Sequence, residues 1–179
     1  MGRPGGKTPP TAPGLPQGPL NMTLTPLLLK VTTMPITKGF RQLVDEASTH
    51  VTTYTVAQVR ERLGRDPKLQ LVDIRDVREL EREGTVPGSL LAPRGMLEFW
   101  VDPASPYFKP AFGDESKEFV LFCGAGWRSA LAAKALQDMG MTNVAHVDGG
   151  FGDWVKQGAP TETLTAHKAA HAARKPAAA

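Results

Sequence analysis

Along the chain, apolar positions recur first at helical and then at strand spacing, and the two patterns alternate. Gln42 to Ala47 reads as a helix. Thr55 opens a second, with Val56, Val59 and Leu63 on one face and Gly64 at its end. Leu69 to Ile74 reads as a strand, Val77 to Glu83 as a short charged helix, and Gly84 to Leu91 as a turn-rich segment with a brief strand at Ser89 to Leu91. Gly95 to Val101 suits a helix, and Asp102 to Asp114 a Pro-rich loop. Phe119 to Phe122 is uninterrupted apolar sequence, as expected of a strand covered on both faces. Ser129 to Met139 reads as a helix whose face is Leu131, Ala132, Ala135, Leu136 and Met139, stopped by Gly140. Asn143 to Val147 then reads as a strand and Phe151 to Lys156 as a last helix. Strands alternating with helices predict an α/β fold: a doubly wound, mostly parallel sheet with helices on both faces, in one domain over residues 34–164. No internal repeat is present.

The flanks have a different composition. Residues 1–26 hold seven prolines and five glycines, too little apolar surface to offset the entropy of ordering, so residues 1–33 are expected to be disordered. Residues 165–179 are rich in Ala, Lys and His with no apolar face to dock, and are expected to form a flexible tail. The net charge of +3 divides unevenly. Residues 34–164 carry 15 Lys and Arg against all 18 acids, and the other six basic residues are Arg3, Lys7, Lys30, Lys168, Arg174 and Lys175. The folded part therefore lacks the basic patch a nucleic-acid-binding domain needs. No apolar run is long enough to span a bilayer, and the N-terminus lacks a secretory signal pattern. The single cysteine cannot form an internal disulfide or a multi-cysteine metal site, and a lone thiol fits a reducing compartment. The expected location is cytoplasmic, with neither a nucleic-acid nor a membrane partner.

Chemistry concentrates in Phe119 to Ala130, where a buried strand runs to Cys123, a short loop with two glycines follows, and a helix begins. Ligand sites in open α/β sheets lie beyond the carboxyl ends of the strands, which is where this order puts the thiol. Gly124 and Gly126 let the loop curl around one point and aim amide N–H groups inward as an anion nest. The helix N-terminus and Arg128 add positive charge, and Ser129 can cap the helix or donate into the loop. These features suit an anionic, nucleophilic sulfur. A buried cysteine can also be a small inert hydrophobe. Two glycines and an arginine within five residues at a strand-to-helix turn favour the reactive reading.

The segment Cys123-Gly124-Ala125-Gly126-Trp127-Arg128-Ser129 resembles the active-site loop of single-domain rhodaneses. Three further segments resemble that family in order, within Thr52 to Pro160. Leu71 to Arg75 is similar to its strand ending in Asp-x-Arg, here Asp73 and Arg75, with acidic Glu79 soon after. Gly84 to Ser89 is similar to its Gly-His-Ile-Pro-Gly-Ala turn, and Val147 to Phe151 with Trp154 to its C-terminal Gly-Gly-x-x-x-Trp segment. The resemblance implies a rhodanese-like fold and a thiosulfate sulfurtransferase-like activity without cofactor or metal. Cys123 would take a sulfane sulfur from a small donor such as thiosulfate as a persulfide, and Gly124, Ala125, Gly126, Trp127, Arg128 and Ser129 would bind the substrate. Cyanide, a small thiol or a partner protein's cysteine would accept the sulfur. The chain departs from the family pattern in places. Thr85 stands where the family often has His. Gly124 stands at a position that is basic in many thiosulfate-using members; glycine there is similar to the mercaptopyruvate-using relatives, which Arg128 and Ser129 do not match. Trp127 is bulky enough to wall or gate the pocket.

Asp73 and Arg75 read first as an ion pair tying a strand to a neighbouring loop, with support of the pocket as the alternative. His146, in an apolar strand, reads as a satisfied core residue. His167 and His171 are four apart in the tail, where solvent exposure is expected rather than metal binding. Met96, Phe99 and Trp100 share a helix face suited to core or pocket wall. Two other functions fit parts of the pattern. Arsenate reductases and phosphatases of the same fold place five residues between cysteine and arginine, where this chain has four, Gly124 to Trp127. A non-catalytic binding module would have no need of Cys123. One account of the flank is that Met34, followed by Pro35, is the natural start and the upstream residues come from an early start codon. Intact-mass measurement of the native protein tests it, and a mass that includes Met1 rules it out.

Overall fold

The computed structural model of the protein describes residues 36–174. Five strands form one sheet in which every pairing is parallel, in the order β1-β5-β4-β2-β3. The strands are β1 (Thr52–Tyr54), β2 (Leu69–Asp73), β3 (Leu90–Leu91), β4 (Glu118–Phe122) and β5 (Val144–Val147). The helices are α1 (Phe40–His50), α2 (Val56–Arg62), α3 (Val77–Glu83), α4 (Leu97–Val101), α5 (Trp127–Asp138), α6 (Gly150–Lys156) and α7 (Leu164–Arg174). Short 3-10 turns at Arg94–Met96 and Pro110–Phe112 interrupt the longer connection. No described helix is long and apolar enough to cross a membrane.

β4 lies between β2 and β5, so its side chains alternate between two cores. Phe119, Leu121 and Cys123 face a cluster with Leu97, Ala132, Ala133 and Leu136, which brings α4 and α5 to that side. Val120 and Phe122 face the opposite cluster with Val56, Val59, Phe151 and Trp154, the side of α2 and α6. This is the doubly wound arrangement expected from the sequence. Capping boxes fix two helix starts: Thr55 with Gln58 for α2, and Asp76 with Glu79 for α3. From β2 the chain moves outward to β3, and from β4 it moves the other way to β5. The adjacent carboxyl ends of β2 and β4 therefore bound a topological switch point.

Several elements differ from expectation. β1 was not expected; at three residues between two helices it has too few positions to show a period. The buried stripe of α5 is Ser129, Ala130, Ala132, Ala133 and Leu136, while Met139 caps the helix and is exposed. Small residues bring α5 close to the sheet, so alanine rather than bulk marks its inner face. Phe99 is likewise exposed and meets Tyr107 edge-on. The expected solvent exposure of His167 is corrected: it is buried within α7, its Nδ1 2.7 Å from Glu162 Oε1. Glu162 is held there by an antiparallel bridge with Thr85, and Leu164 is buried one turn before His167. The N-terminal segment expected to be disordered lies outside the described residues.

One buried polar network ties these elements together. The Arg75 guanidinium, with no exposed surface, donates to both Asp73 carboxylate oxygens, to Glu83 Oε2 and to the Gly84 carbonyl. Thr85 Oγ1 donates to Asp73 Oδ2 at 2.7 Å, and the guanidinium stacks 3.7 Å from the Phe151 ring centroid. Removing one partner would leave a buried charge unmatched. Arg75→Met is expected to lower the unfolding free energy by about 3–5 kcal/mol in urea titrations. Asp73→Leu combined with Arg75→Met should lose less than the sum of the single changes, and strict additivity would contradict the coupling.

Candidate functional site

The site is built where β4 gives way to α5. Cys123 follows the last residue of β4 and is 1% exposed. Its carbonyl accepts from Phe151 N at 2.7 Å, and the Gly124 carbonyl accepts from Gly152 N at 2.9 Å. The Gly126 carbonyl accepts from Ser129 Oγ at 2.9 Å and Ala130 N at 3.0 Å. These carbonyls are thus occupied by the starts of α5 and α6. Among the described residues, the amide N–H groups of Gly124 through Ser129 donate to no protein acceptor. Six successive free donors following a cysteine are the raw material of an anion nest.

Two glycines make this curl feasible. Gly126 has φ +90°, a left-handed conformation that L side chains rarely adopt. At Gly150, with φ +54°, an added Cβ would collide with the Cys123 carbonyl oxygen. The close approach of α6 to the loop therefore requires a residue without a side chain.

Arg128 spans the switch point. Its Nη1 and Nη2 each donate at 2.7 Å to the carboxylate of Glu79 in the first turn of α3. Glu79 Oε2 also accepts from the Asp76 amide in the capping box of α3, so one side chain caps a helix and anchors the loop arginine. Arg128 is held well above the usual arginine range, first by Glu79 and in smaller part by the Cys123 sulfur. The same pair holds the Glu79 carboxyl below its usual range. Trp127 is 47% exposed, its ring 5.2 Å from that of Phe40 in α1 and 5.6 Å from the Arg41 guanidinium.

Cys123, Gly124, Ala125, Gly126, Trp127, Arg128 and Ser129 are thus brought together as one loop and helix start. Ser129 is fully buried and bonds back to the loop rather than lining an open face. Asp73 and Arg75 lie behind the loop in the buried network, reaching it through Phe151, whose amide holds the Cys123 carbonyl. Glu79 was read as a motif residue but not as part of the site. Its signal was the Asp76-x-x-Glu79 capping box, which points the carboxylate at the start of α3. An apolar cavity of about 440 Å³ lies between β3 and α7, lined by Leu90, Leu91, Trp100, Phe112 and His167 among others, and it shares no residue with the loop. Trp100 therefore walls that cavity.

The fold and the loop together define the class: the chain belongs to the rhodanese-like domain family, whose pattern matches residues 55–157. A solved Rhodopseudomonas palustris protein of unknown function, described as a candidate tyrosine phosphatase, is 49% identical with a TM-score of 0.69, covering 73% of this chain and 98% of its own. A Bacillus subtilis protein provisionally named a sulfur carrier is 25% identical over 65% of this chain and 57% of its own length. A Mycobacterium tuberculosis protein provisionally named an adenylyltransferase/sulfurtransferase is 30% identical over 60% of this chain and 26% of its own length. The chain therefore spans between about a quarter and just over half of these two curated relatives.

His146 lies beneath the loop. It is buried, with Nε2 2.9 Å from Thr53 Oγ1 and Nδ1 3.5 Å from Ser129 Oγ. Burial holds its pKa below the ordinary histidine value, opposed in part by Asp148. The folded state thus binds this proton less well than the unfolded state. The stability from neutral His146 is fully present above the unfolded pKa of about 6.5 and is lost as pH falls below it towards the lower folded value. Urea unfolding at pH 7.5 and 5.5 is expected to show that loss, with a slope of at most about 1.4 kcal/mol per pH unit from this group. His146→Gln should flatten the dependence, and an unchanged slope in that variant would assign it elsewhere.

Proposed function

We propose that the protein is a sulfurtransferase that carries a sulfane sulfur on Cys123 as a persulfide. The single observation that carries this reading is the loop itself: a cysteine followed by six residues whose amide N–H groups donate to no protein acceptor among the described residues, with the Arg128 guanidinium beside them. The Cys123 thiolate attacks the outer sulfur of a donor. A bond from Sγ to that sulfur forms as the donor's bond to it breaks, and the remaining fragment leaves with the electron pair. The loop amides stabilise the negative charge on the terminal sulfur, as an oxyanion hole does for oxygen. A thiophilic acceptor then attacks the terminal sulfur and restores the Cys123 thiolate. Two half-reactions through one covalent intermediate predict ping-pong kinetics. No second cysteine exists to resolve the persulfide, so the acceptor is external: cyanide, a small thiol or a partner protein's cysteine. The sulfur-carrier and sulfurtransferase names among the relatives support this reading, as does family membership. A lone nucleophilic thiol suits a reducing compartment such as the cytoplasm.

The 49% identical relative described as a candidate tyrosine phosphatase favours a second reading, hydrolysis of a phosphate ester by the same cysteine. The loop has four residues between Cys123 and Arg128, a smaller cradle than the phosphatases of this fold use.

Intact-mass spectrometry after incubation with thiosulfate, mercaptopyruvate or an organic persulfide separates these readings. The expected result is a gain of one sulfur atom in wild type, reversed by cyanide and absent in Cys123→Ser. Hydrolysis of p-nitrophenyl phosphate that depends on Cys123, with no sulfur gained from any donor, would replace sulfur transfer by phosphatase chemistry.

A further inference from the structure

A second ligand-sized space lies away from Cys123. The cavity of about 440 Å³ is bounded by the edge strand β3, by Trp100 and the 3-10 turn Pro110–Phe112, and by α7. β3 pairs only with β2, so no further strand covers its other side. Leu90, Leu91, Trp100, Ala111, Phe112 and Ala172 give the cavity an apolar lining. Its size falls in the range of about 300–1,000 Å³ usual for small-molecule sites, where an apolar lining carries a few placed polar groups.

The charged groups of this lining have one sign. Lys109 and Lys168 line the cavity, and among the described residues no Asp or Glu does. The described lysines that pair with carboxylates are Lys38, Lys117, Lys134 and Lys156, which leaves Lys109 and Lys168 without such a partner among the described residues. Lys109 Nζ instead lies 5.1 Å from the Trp100 ring centroid. His167 is 5% exposed, and its Nδ1 is held by Glu162 Oε1. Nε2 of the same ring has no protein partner among the described residues. No fully enclosed side-chain nitrogen among them lacks a partner, so Nε2 opens onto space beside the ring. That space is the cavity or the recess of about 220 Å³ that shares Ser89, Leu90, His167 and His171 with it. Glu162, which lines the recess, is already engaged by Nδ1.

We propose that this cavity is a binding site for a small amphiphilic carboxylate, an apolar chain or aromatic body ending in one negative charge. The body packs on Leu90, Leu91, Trp100 and Phe112, and the carboxylate lies among Lys109, Lys168 and His167. The Glu162 carboxylate accepts the hydrogen on Nδ1, so a proton on Nε2 makes the ring a charge-assisted donor towards the ligand while Glu162 balances its charge. A neutral ligand of the same shape leaves the two lysines unmatched, and a cationic one meets them as like charges. The site shares no residue with the Cys123 loop, and its assignment does not depend on the sulfur-transfer reading.

The test titrates the full chain, labelled with ¹⁵N, with decanoate and separately with decanol, and follows the backbone amide and histidine ring signals by NMR. Decanoate is expected to bind one to one, with saturable shifts at Leu90, Leu91, Trp100 and His167. Decanol should bind at least about fivefold more weakly. Lys109→Gln combined with Lys168→Gln should raise the Kd for decanoate by about fivefold and leave that for decanol unchanged, which a merely apolar groove would not show. Ala172→Trp, on an exposed position of α7 that lines the cavity, should block both ligands. Equal affinity for decanol and decanoate in wild type, or a decanoate Kd unmoved in the folded lysine variant, overturns the carboxylate assignment. Saturable shifts centred on another part of the chain, or none at all, overturn the site. A dimer that forms with rising protein concentration without ligand, and that Ala172→Trp abolishes, would put a second copy of the chain in the cavity and overturn the proposal as well.

Discussion

A buried guanidinium must have its donors satisfied, and the neighbourhood of Cys123 is organised around that demand at Arg75. Its side chain reaches the end of β2 through Asp73, the end of α3 through Glu83 and the Gly84 carbonyl, and the start of α6 through the Phe151 ring. Thr85 adds its hydroxyl to Asp73 and its backbone to Glu162, so the chain that returns after α6 is fixed by the same cluster. Phe151 is the link to chemistry, because its amide holds the Cys123 carbonyl. A stabilising cluster with no atom in the loop therefore determines which way the loop faces. With the carbonyls of Cys123, Gly124 and Gly126 engaged by α5 and α6, the loop amides are left without protein acceptors among the described residues.

A nest of neutral donors differs from a cationic site. Amide dipoles stabilise charge that is localised on one atom close to them, such as a thiolate or the terminal sulfur of a persulfide. They do less for a second charge farther away. Long-range attraction of a polyanion needs excess positive charge, and at this end of the sheet the guanidinium groups of Arg128, Arg78 and Arg94 are matched by carboxylates. Arg128 consequently contributes geometry as well as charge: bound to Glu79 in α3, it braces the start of α5 across the crevice between β2 and β4.

Much of this arrangement was legible in the sequence because local rules carried it. The uninterrupted run Phe119 to Phe122 marked a central strand, Thr55 marked a helix start, and the order of strand, cysteine, glycines and helix put the thiol at the carboxyl end of the sheet. What escaped depended on contacts between distant segments. β1 exists because β5 offers it an edge, not because Thr52 to Tyr54 has a pattern. His167 is buried because Glu162 is held against Thr85, 77 positions earlier in the chain. The inner face of α5 was read in part: Ala132 and Leu136 are buried as expected, but close packing on the sheet turns the stripe to Ser129, Ala130 and Ala133 rather than to Leu131, Ala135 and Met139. Glu79 was visible as an acidic motif residue, but its partner Arg128 comes from a helix 49 residues away.

The charge balance also bears on the phosphatase description of the 49% identical relative. A phosphate monoester at neutral pH is a dianion, as thiosulfate is, and its three peripheral oxygens need donors as well as counter-charge. A loop with four residues between Cys123 and Arg128 gives less room for such a group than a loop of five, and both Nη atoms of Arg128 already donate to Glu79. Any anion at this loop therefore has to share that guanidinium with a carboxylate across the switch point.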